Sequence, residues 1–167
     1  QVRALAAAGV RAAVLTVSDG VAAGSREDQS GEVLAERAAA AGFEVVERRT
    51  VPDEHAQIAE ALWDLTDLAE LVLTTGGTGF APRDVTPEAT AEVVERLTPG
   101  LDEAMREVSR RASPHGLLSR GASGICGQTL IVNFPGSPRA CGECFDAIAA
   151  ALGHGLELLT SQPTEHP

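Results

Sequence analysis

Short apolar segments alternate with amphipathic stretches along most of this 167-residue chain. The apolar segments predict strands at 11–17, 43–51, 70–74, 122–126 and 129–133. Between and after them, apolar residues recur at helical spacing, which predicts helices that begin at Ser30, after Asp53, at Thr86, at Pro99 and after Pro138. Because alternating strands and helices imply crossover connections, we expect a three-layer α/β sandwich with a mostly parallel central sheet.

Several polar residues stand where helices are expected to begin. Asp53 is in the position of an N-cap, because apolar residues follow it at the spacing of one buried helical face. Thr86 is expected to cap a helix that opens with a proline. For Asp28 two interpretations are open: it could bind Mg²⁺, or it could cap a turn while Ser30 caps the following helix.

Three loops of unusual composition follow predicted strands, at 18–31, 75–86 and 133–138. The carboxyl ends of parallel strands meet at one edge of a sheet, and proteins of this class bind their ligands there. We therefore expect the three loops to share one site.

Length and composition indicate one domain. A chain of 167 residues with 44% apolar positions can bury one core of ordinary size. We predict a single α/β domain over 1–159, followed by a polar, flexible tail at 160–167.

Charge and residue usage exclude several kinds of chemistry. The 24 acidic side chains and 13 arginines give a formal net charge of -11, which disfavours binding to nucleic acid or to an anionic membrane. Because the chain contains no lysine, Schiff-base catalysis and the Walker A lysine are excluded. We expect a cytoplasmic protein, since 1–9 lack a secretion signal, no apolar run would span a membrane, and three cysteines suit a reducing compartment.

The most informative segment is glycine-rich and covers 74–89. Its glycines let the backbone turn tightly and direct successive N–H groups at one point, a geometry that binds phosphate without a lysine. Within it, Arg83 could pair with phosphate oxygens and Asp84 could bind Mg²⁺. A plain strand-to-helix turn is the alternative, because the segment is neither a Walker A loop nor a Rossmann fingerprint.

Other residues near the predicted edge also suit a polar ligand. The turn at 133–139 combines prolines with a helix N-terminus beside Arg139, which fits an anion site as well as a rigid connection. Asp19 could bind Mg²⁺ or accept hydrogen bonds. Further candidates for the cleft are Glu103, Arg106, Ser119 and Arg120. Glu103 and Arg106 fit a surface ion pair equally well.

The C-x-x-C pair, Cys141 and Cys144, is predicted to be structural. Both residues fall on the apolar face of the last helix, whereas a redox pair exposes its first thiol at a helix N-terminus. A zinc site would need two further ligands, and the four scattered histidines give no support to a catalytic triad.

Taken in chain order, these segments resemble one known family. The motifs are Ser18-Asp19-Gly20, Ser30-Gly31, Pro52-Asp53-Glu54, TTGGTGFAPRDVTPEA at 74–89, PGLDEAMR at 99–106, Leu118-Ser119-Arg120 and NFPGSP at 133–138. They are similar to the motifs of the MogA/MoaB family of molybdenum cofactor biosynthesis proteins, over about residues 10–159. TTGGTG followed by RDVTPEA is a highly specific combination.

The resemblance implies a compact MogA-like α/β fold that binds molybdopterin and forms a trimer or a dimer of trimers. The reaction it implies is adenylylation of the molybdopterin phosphate by ATP with Mg²⁺, which releases pyrophosphate. One alternative is a non-catalytic MoaB-type protein that binds molybdopterin or acts as a scaffold. Another is a general nucleotide-binding protein that binds MgATP without any pterin. The resemblance also implies contact with molybdopterin synthase or a molybdenum insertase.

Carried over by position, the two acids of active family members fall at Asp53 and Asp84, the expected catalytic residues and Mg²⁺ ligands. The expected substrate-binding residues are Ser18, Asp19, Thr75, Gly76, Gly77, Thr78, Gly79, Arg83, Glu103, Ser119, Arg120, Pro135, Gly136, Ser137 and Pro138. Because Arg83, Arg120 and Arg139 lie in or beside the loops, we expect a mildly positive cleft on an otherwise acidic surface.

Overall fold

The computed structural model describes residues 9–161. Within this range the strands are Arg11–Val17 (β1), Glu44–Val51 (β2), Leu71–Thr75 (β3), Arg96–Leu97 (β4), Ser123–Cys126 (β5) and Thr129–Phe134 (β6). The α-helices are Asp19–Ala22 (α1), Gln29–Ala40 (α2), His55–Thr66 (α3), Thr86–Val93 (α4), Pro99–Ala112 (α5) and Pro138–Thr160 (α6), and a short 3-10 helix spans Pro114–Leu118.

One sheet contains these strands in the order β2-β1-β3-β6-β5-β4. The first four are mutually parallel, and β5 and β4 run antiparallel to their neighbours. The chain passes from β1 to β2 on one side and then crosses to β3 on the other side of β1, so the direction of winding reverses between β1 and β3. The mostly parallel sheet predicted from the sequence is confirmed.

Helices cover both faces of the sheet. Alternate residues of β1 point in opposite directions: Ala12 and Val14 pack with α2, α5 and α6, whereas Ala13 and Leu15 pack with α3 and α4. Because both faces are buried, the central strands are apolar along nearly their whole length. The three-layer α/β architecture is confirmed.

The start of α2 differs by one residue from the prediction. The helix begins at Gln29, because the carboxylate of Asp28 is its cap and accepts a hydrogen bond from Gly31 N at 3.0 Å. The hydroxyl of Ser30 is therefore not a cap, and it donates to Gly136 O at 3.0 Å. This contact links the first loop to the turn after β6.

Two other helix caps predicted from the sequence are wrong. Glu54 holds the N-cap position of α3, and its side chain makes no capping hydrogen bond, so Asp53 is left for other contacts. Val85 holds the N-cap position of α4, and Thr86 is already helical. The Thr86 hydroxyl donates to Gly76 O at 2.9 Å instead, which ties the helix to the glycine-rich loop.

The sequence pattern misses α1, β4 and the 3-10 helix, because each is too short to show a period. At the other end, α6 continues to Thr160, so the tail predicted at 160–167 starts inside a helix. The rest of that tail, 162–167, lies outside the described residues, as does 1–8, on which the prediction about a secretion signal depends. Among residues 9–161, no helix has the length and apolar character needed to cross a membrane.

Candidate active site

The three predicted loops meet at the carboxyl edge of the parallel strands. The loops after β1, β2, β3 and β6 begin at Ser18, Pro52, Gly76 and Pro135. Gly76 follows β3 directly, and a Cβ atom at this position would clash with Val17 O at the end of β1. The backbone of the glycine-rich loop therefore lies at the point where the winding of the sheet reverses, which is where α/β proteins bind ligands.

Two glycines of this loop have left-handed backbone conformations. The φ angles are 93° at Gly76 and 69° at Gly77, values that side-chain-bearing residues rarely adopt. A Cβ atom at Gly77 would clash with the Thr86 hydroxyl and lie 3.2 Å from Asp53 Oδ1. Glycine at 77 therefore lets the loop backbone approach both the start of α4 and the carboxylate of Asp53.

Asp19 and Asp53 hold the loops after β1 and β2 together. Each carboxylate accepts a hydrogen bond from the backbone N–H of the other residue, and both bonds measure 2.9 Å. The pKa of Asp53 is raised, mainly by burial and further by the charges of Asp19 and Asp84. Asp19 and Asp84 are thus the acidic neighbours of Asp53 at this edge of the sheet.

Asp84 belongs to the glycine-rich loop between β3 and α4 and lies two residues before the start of that helix. Its Oδ2 accepts a hydrogen bond from Ala81 N at 3.0 Å, so the side chain is held by its own loop. Residues 9–161 contain no group of three or more side chains suited to holding a metal ion. Mg²⁺ commonly binds through one or two carboxylates together with substrate phosphates, so Asp53 and Asp84 fit a metal that arrives with its substrate.

Arg83 is engaged by acidic side chains in this structure. Its guanidinium donates to the two oxygens of Asp19 at 2.7 and 3.0 Å and to Glu54 Oε1 at 3.0 Å. The hydrogen bond from Arg83 is the main reason that the pKa of Asp19 is lowered. The phosphate contact expected for Arg83 would require these ion pairs to break.

Arg120 links the glycine-rich loop to α4. It donates to Gly79 O and Asp84 O, both at 2.8 Å, and pairs with Glu88 at 2.9 Å. Its own backbone N–H donates to Thr78 O at 2.7 Å. Arg120 therefore holds the backbone of the glycine-rich loop in place. It does not line the cleft, in which the sequence led us to expect it to bind a phosphate.

The side chains of the three arginines do not make the cleft mildly positive, although the sequence led us to expect this. Arg139 also has an acidic partner, Glu143 at 2.9 Å, so all three arginines invoked for that expectation are ion-paired. Among the described residues, neither Asp53 nor Asp84 has a basic side chain in ion-pair contact. The cleft therefore has excess negative charge unless a cation binds there.

The cleft has two lobes that meet at the glycine-rich loop. The larger lobe, of about 510 Å³, includes Thr78, Gly79, Ser119, Pro135 and Ser137 in its lining. The smaller lobe, of about 250 Å³, includes Ser18, Arg26, Asp53, Thr75, Gly76 and Pro138. Gly77, Asp84 and Gly136 line both lobes.

Most of the site residues carried over from the family line one or both lobes, but four do not. Asp19, Arg83 and Arg120 support the walls through the contacts described above. Glu103 is exposed on α5 and lines neither lobe, while the neighbouring Asp102 is buried and accepts hydrogen bonds from Ser123. Arg106 donates to a backbone carbonyl instead of pairing with Glu103.

Several residues that line the lobes were not predicted from the sequence. They are Val21, Arg26, Glu27 and Gln29 in the smaller lobe, and Ser109, Ala112, Ser113, His115, Gly116 and Glu143 among others in the larger one. None belongs to a recognisable chemical motif. The sequence indicated only that Val21, Arg26, Glu27 and Gln29 lie in the loop region after β1, which was expected to border the site.

A wider groove of about 680 Å³ lies at the opposite edge of the sheet. It is lined by Trp63, which is 48% exposed, and by several acidic side chains. None of the predicted site residues lines this groove. Its volume exceeds that of either lobe, but the glycine-rich loop and the paired carboxylates identify the carboxyl edge as the candidate site.

Cys141 and Cys144 lie beneath the cleft, and their predicted structural role is confirmed by their burial. The thiol of Cys141 donates to Pro135 O at 3.0 Å, and burial raises its pKa to about 12. The thiol of Cys144 contacts Ser109 Oγ at 3.3 Å. Cys141 thus helps to hold the turn after β6, whereas Cys144 contacts α5.

Comparison with known proteins identifies the family of this chain. The sequence matches the family described as "Probable molybdopterin binding domain" over residues 13–154. Molybdenum cofactor synthesis protein cinnamon from Drosophila melanogaster is 43% identical over 150 residues, which cover 87% of this chain and 25% of cinnamon. Molybdopterin adenylyltransferase from Escherichia coli K12 is 40% identical over 156 residues, which cover 88% of this chain and 80% of that protein.

A solved structure of similar fold is the molybdopterin biosynthesis enzyme MoaB from Thermus thermophilus. It matches with a TM-score of 0.84 and 45% identity, over 92% of this chain and 98% of that one. The chain spans about a quarter of the length of cinnamon and 22% of gephyrin from Dictyostelium discoideum. From the matched family, the relatives and the shared fold, we conclude that the chain belongs to the MogA/MoaB family of molybdopterin-binding domain proteins.

Proposed function

We propose that this protein acts in molybdenum cofactor biosynthesis by binding molybdopterin and catalysing its adenylylation with MgATP. The observation that carries the proposal is the position of Asp53 and Asp84 beside a glycine-rich loop at the reversal point of the sheet. The identity of the proposed reaction is supported by the Escherichia coli relative named molybdopterin adenylyltransferase, most of whose length this chain matches.

The two lobes suggest how two substrates are arranged. The larger lobe has apolar side chains such as Leu118 and Ala140 in its lining and is large enough for a pterin ring system. The smaller lobe is lined by carboxylates, hydroxyls and backbone, which suits phosphates and a metal ion. We place the pterin in the larger lobe, the nucleotide phosphates in the smaller one, and the reacting groups where the lobes meet, at Gly77, Asp84 and Gly136.

The proposed reaction needs no covalent intermediate with the protein. A phosphate oxygen of molybdopterin attacks the α-phosphorus of ATP and forms a new P–O bond. The bond from the α-phosphorus to the bridging oxygen breaks, and pyrophosphate leaves with its electron pair. The protein must hold two polyanions together and stabilise the charge that develops in the transition state, for which backbone N–H groups and helix N-termini are suited.

Mg²⁺ fits the carboxylates of the smaller lobe and would supply positive charge next to Asp53 and Asp84, neither of which has a basic partner within residues 9–161. Asp53 and Asp84 are the residues that would hold it, together with substrate oxygens. Without a divalent cation, these two carboxylates would repel the phosphates of ATP. We therefore expect nucleotide binding to depend strongly on Mg²⁺.

The test of the proposed function is direct. The protein is incubated with molybdopterin, ATP and Mg²⁺, and pyrophosphate and adenylylated molybdopterin are measured. The proposal requires both products. Molybdopterin binding without either product would favour a non-catalytic binding or scaffold protein. MgATP binding that is unaffected by molybdopterin, again without product, would favour a general nucleotide-binding protein.

Substitution of Asp84 tests the proposed metal ligand. We expect Asp84→Asn to lower the adenylylation rate by roughly 100-fold or more, the scale seen when one preorganised electrostatic group is lost, while leaving molybdopterin affinity nearly unchanged. Asp67→Asn removes the same charge from an exposed residue at the opposite edge of the sheet and serves as the control. Unchanged turnover in Asp84→Asn would remove Asp84 from the mechanism.

We also propose that the protein forms a homo-oligomer, a trimer or a hexamer. Supporting features are Leu97 on the edge strand β4, which is 69% exposed, and a neighbouring apolar groove of about 400 Å³ between α5 and α6. Exposed apolar residues that adjoin one another commonly mark protein interfaces. The edge strand also offers backbone groups that a second copy could pair with.

Two further expectations from the sequence stay predictions. One is contact with molybdopterin synthase or a molybdenum insertase. Two apolar side chains close to the cleft could take part in such a contact: Phe80 on the glycine-rich loop is 67% exposed, and Leu117 is 60% exposed. The other is a cytoplasmic location, which agrees with the free thiol state of the three cysteines.

A further inference from the structure

Arg26 is a basic residue of the smaller lobe that the sequence motifs did not single out. It lies in the loop after β1 and lines the lobe together with Ser18, Asp53 and Gly76. It lines only this lobe, whereas Gly77, Asp84 and Gly136 line both. Arg26 is therefore not among the residues at which the two lobes meet.

The charge of Arg26 is available to a ligand, unlike that of the other arginines at this edge. Arg83, Arg120 and Arg139 each pair with a carboxylate at 2.7 to 3.0 Å. Across residues 9–161, no carboxylate lies within ion-pair distance of Arg26, although Glu27 lines the same lobe. An arginine without an acidic partner beside a phosphate-sized space is well suited to bind an anion.

Contacts within the loop after β1 fix the path of the Arg26 side chain. Gly20 O accepts hydrogen bonds from Ser25 N at 2.9 Å and from Arg26 N at 3.2 Å, which closes the loop. A Cβ atom at Gly20 would lie only 2.7 Å from Cδ of Arg26, so the aliphatic part of this side chain packs directly across the glycine. The absence of a side chain at 20 therefore permits the observed path of Arg26.

The smaller lobe thus offers two kinds of partner to one ligand. Asp53 and Asp84 suit a divalent cation, and Arg26 suits phosphate oxygens. A volume of about 250 Å³ is below the usual range for a complete ligand site, so the lobe would hold only part of a nucleotide. A metal-bound di- or triphosphate moiety matches this combination.

We propose that Arg26 binds the β- and γ-phosphates of ATP, the part of the nucleotide that leaves as pyrophosphate. The inference rests on the proposed adenylylation. In that reaction the α-phosphorus must lie where the lobes meet, because it has to reach the molybdopterin phosphate. The remaining phosphates then extend into the smaller lobe, toward Arg26. The guanidinium stabilises the negative charge that pyrophosphate gains as it leaves.

Binding measurements with three probes test this assignment. The dissociation constants of ATP, pyrophosphate and AMP, each with Mg²⁺, are measured by isothermal titration calorimetry for the wild-type protein and for Arg26→Ala. We expect ATP and pyrophosphate to bind about tenfold or more weakly to the variant, the scale of a lost charge-assisted contact, and AMP affinity to change less than about twofold. Arg26→Lys should recover part of the lost affinity, because it keeps the charge but not the bidentate geometry.

Two additional variants separate this role from a general effect. Arg11→Ala removes the same charge at the opposite edge of the sheet, where Arg11 pairs with Glu70, and should leave all three affinities unchanged. Gly20→Ala should displace the Arg26 side chain and lower the affinity for ATP more than the affinity for AMP. Thermal unfolding of every variant shows whether the fold is retained.

The outcomes distinguish the inference from the proposed function. If Arg26→Ala binds ATP and pyrophosphate as tightly as wild type does, or loses AMP affinity equally, the assignment of Arg26 is overturned. If the wild type forms no adenylylated molybdopterin but binds MgATP and pyrophosphate through Arg26, the proposed reaction fails while the phosphate contact stands. If the wild type binds neither ATP nor pyrophosphate, both are wrong.

Discussion

At the residue scale, the thiols beneath the cleft give a clear chemical prediction. Burial raises the pKa of Cys141 to about 12 and also raises that of Cys144, so almost no thiolate is present near neutral pH. We expect neither residue of the folded protein to react with iodoacetamide at pH 8, because the thiolate is the reactive form. Both should be labelled after unfolding in guanidinium chloride. Mass spectrometry of the alkylated peptides measures the difference, and rapid labelling of native Cys141 would contradict it.

The arginines at the cleft show why side-chain roles are hard to infer from sequence at this scale. Arg83 and Arg120 lie beside the cleft as the motifs predict, but their acidic partners come from other parts of the chain. Asp19 is 64 residues from Arg83, and Glu88 is 32 residues from Arg120. Such pairs form only when the fold brings two loops together, so the pattern cannot reveal them. Only the pairing of Arg139 four residues before Glu143 is local enough to be expected from spacing.

At the scale of elements, the long strands and helices were predictable because burial on both sheet faces imposes apolar patterns on them. The helix starts were less predictable, since several polar residues compete for each N-cap. Asp53 has the right chemistry for a cap, yet its carboxylate accepts from Asp19 N instead, a tertiary contact that no local rule contains. The meeting of the three loops at one edge of the sheet was predictable, while the division of the cleft into two lobes depends on how those loops pack.

The contact of Arg120 with the glycine-rich loop yields a prediction at this scale. Arg120→Ala removes the hydrogen bonds to Gly79 O and Asp84 O, so we expect the free energy of unfolding to fall by about 1–3 kcal/mol. Adenylylation should also fall, because the loop that carries Asp84 loses a support. Guanidinium unfolding and the turnover assay measure the two effects.

Glu88→Gln is the matched control, because it removes the exposed ion pair but keeps the Arg120 contacts to backbone carbonyls. Its effect on stability should be below about 1 kcal/mol. The hydrogen bond from Arg120 lowers the pKa of Glu88, whose ordinary value is 4.5. The stabilisation from this pair is therefore present above about pH 4.5 and is lost as the pH falls through the lowered pKa. An Arg120→Ala effect no larger than that of Glu88→Gln would mean that the backbone contacts contribute little.

At the scale of the whole molecule, the negative net charge does not prevent binding of anionic substrates, because what matters is where the charges lie and not their sum. The formal charge is -11, and most arginines in the described range are neutralised by neighbouring acids. Local positive potential at the carboxyl edge then comes from backbone N–H groups, helix N-termini, Arg26 and the proposed Mg²⁺. The same acidic surface elsewhere disfavours nonspecific contacts with other polyanions.

The two edges of the sheet differ in a way that allows the proposed self-association to be tested. Leu97 on β4 is 69% exposed and adjoins the apolar groove between α5 and α6, whereas Val46 on the opposite edge strand β2 is 41% exposed. We expect wild-type protein to sediment at about three or six times the 17.2 kDa monomer mass. Leu97→Asp should shift it toward the monomer, because a charge would be buried in the interface. Val46→Asp should leave the assembly intact, and dissociation by this variant but not by Leu97→Asp would place the interface at the β2 edge.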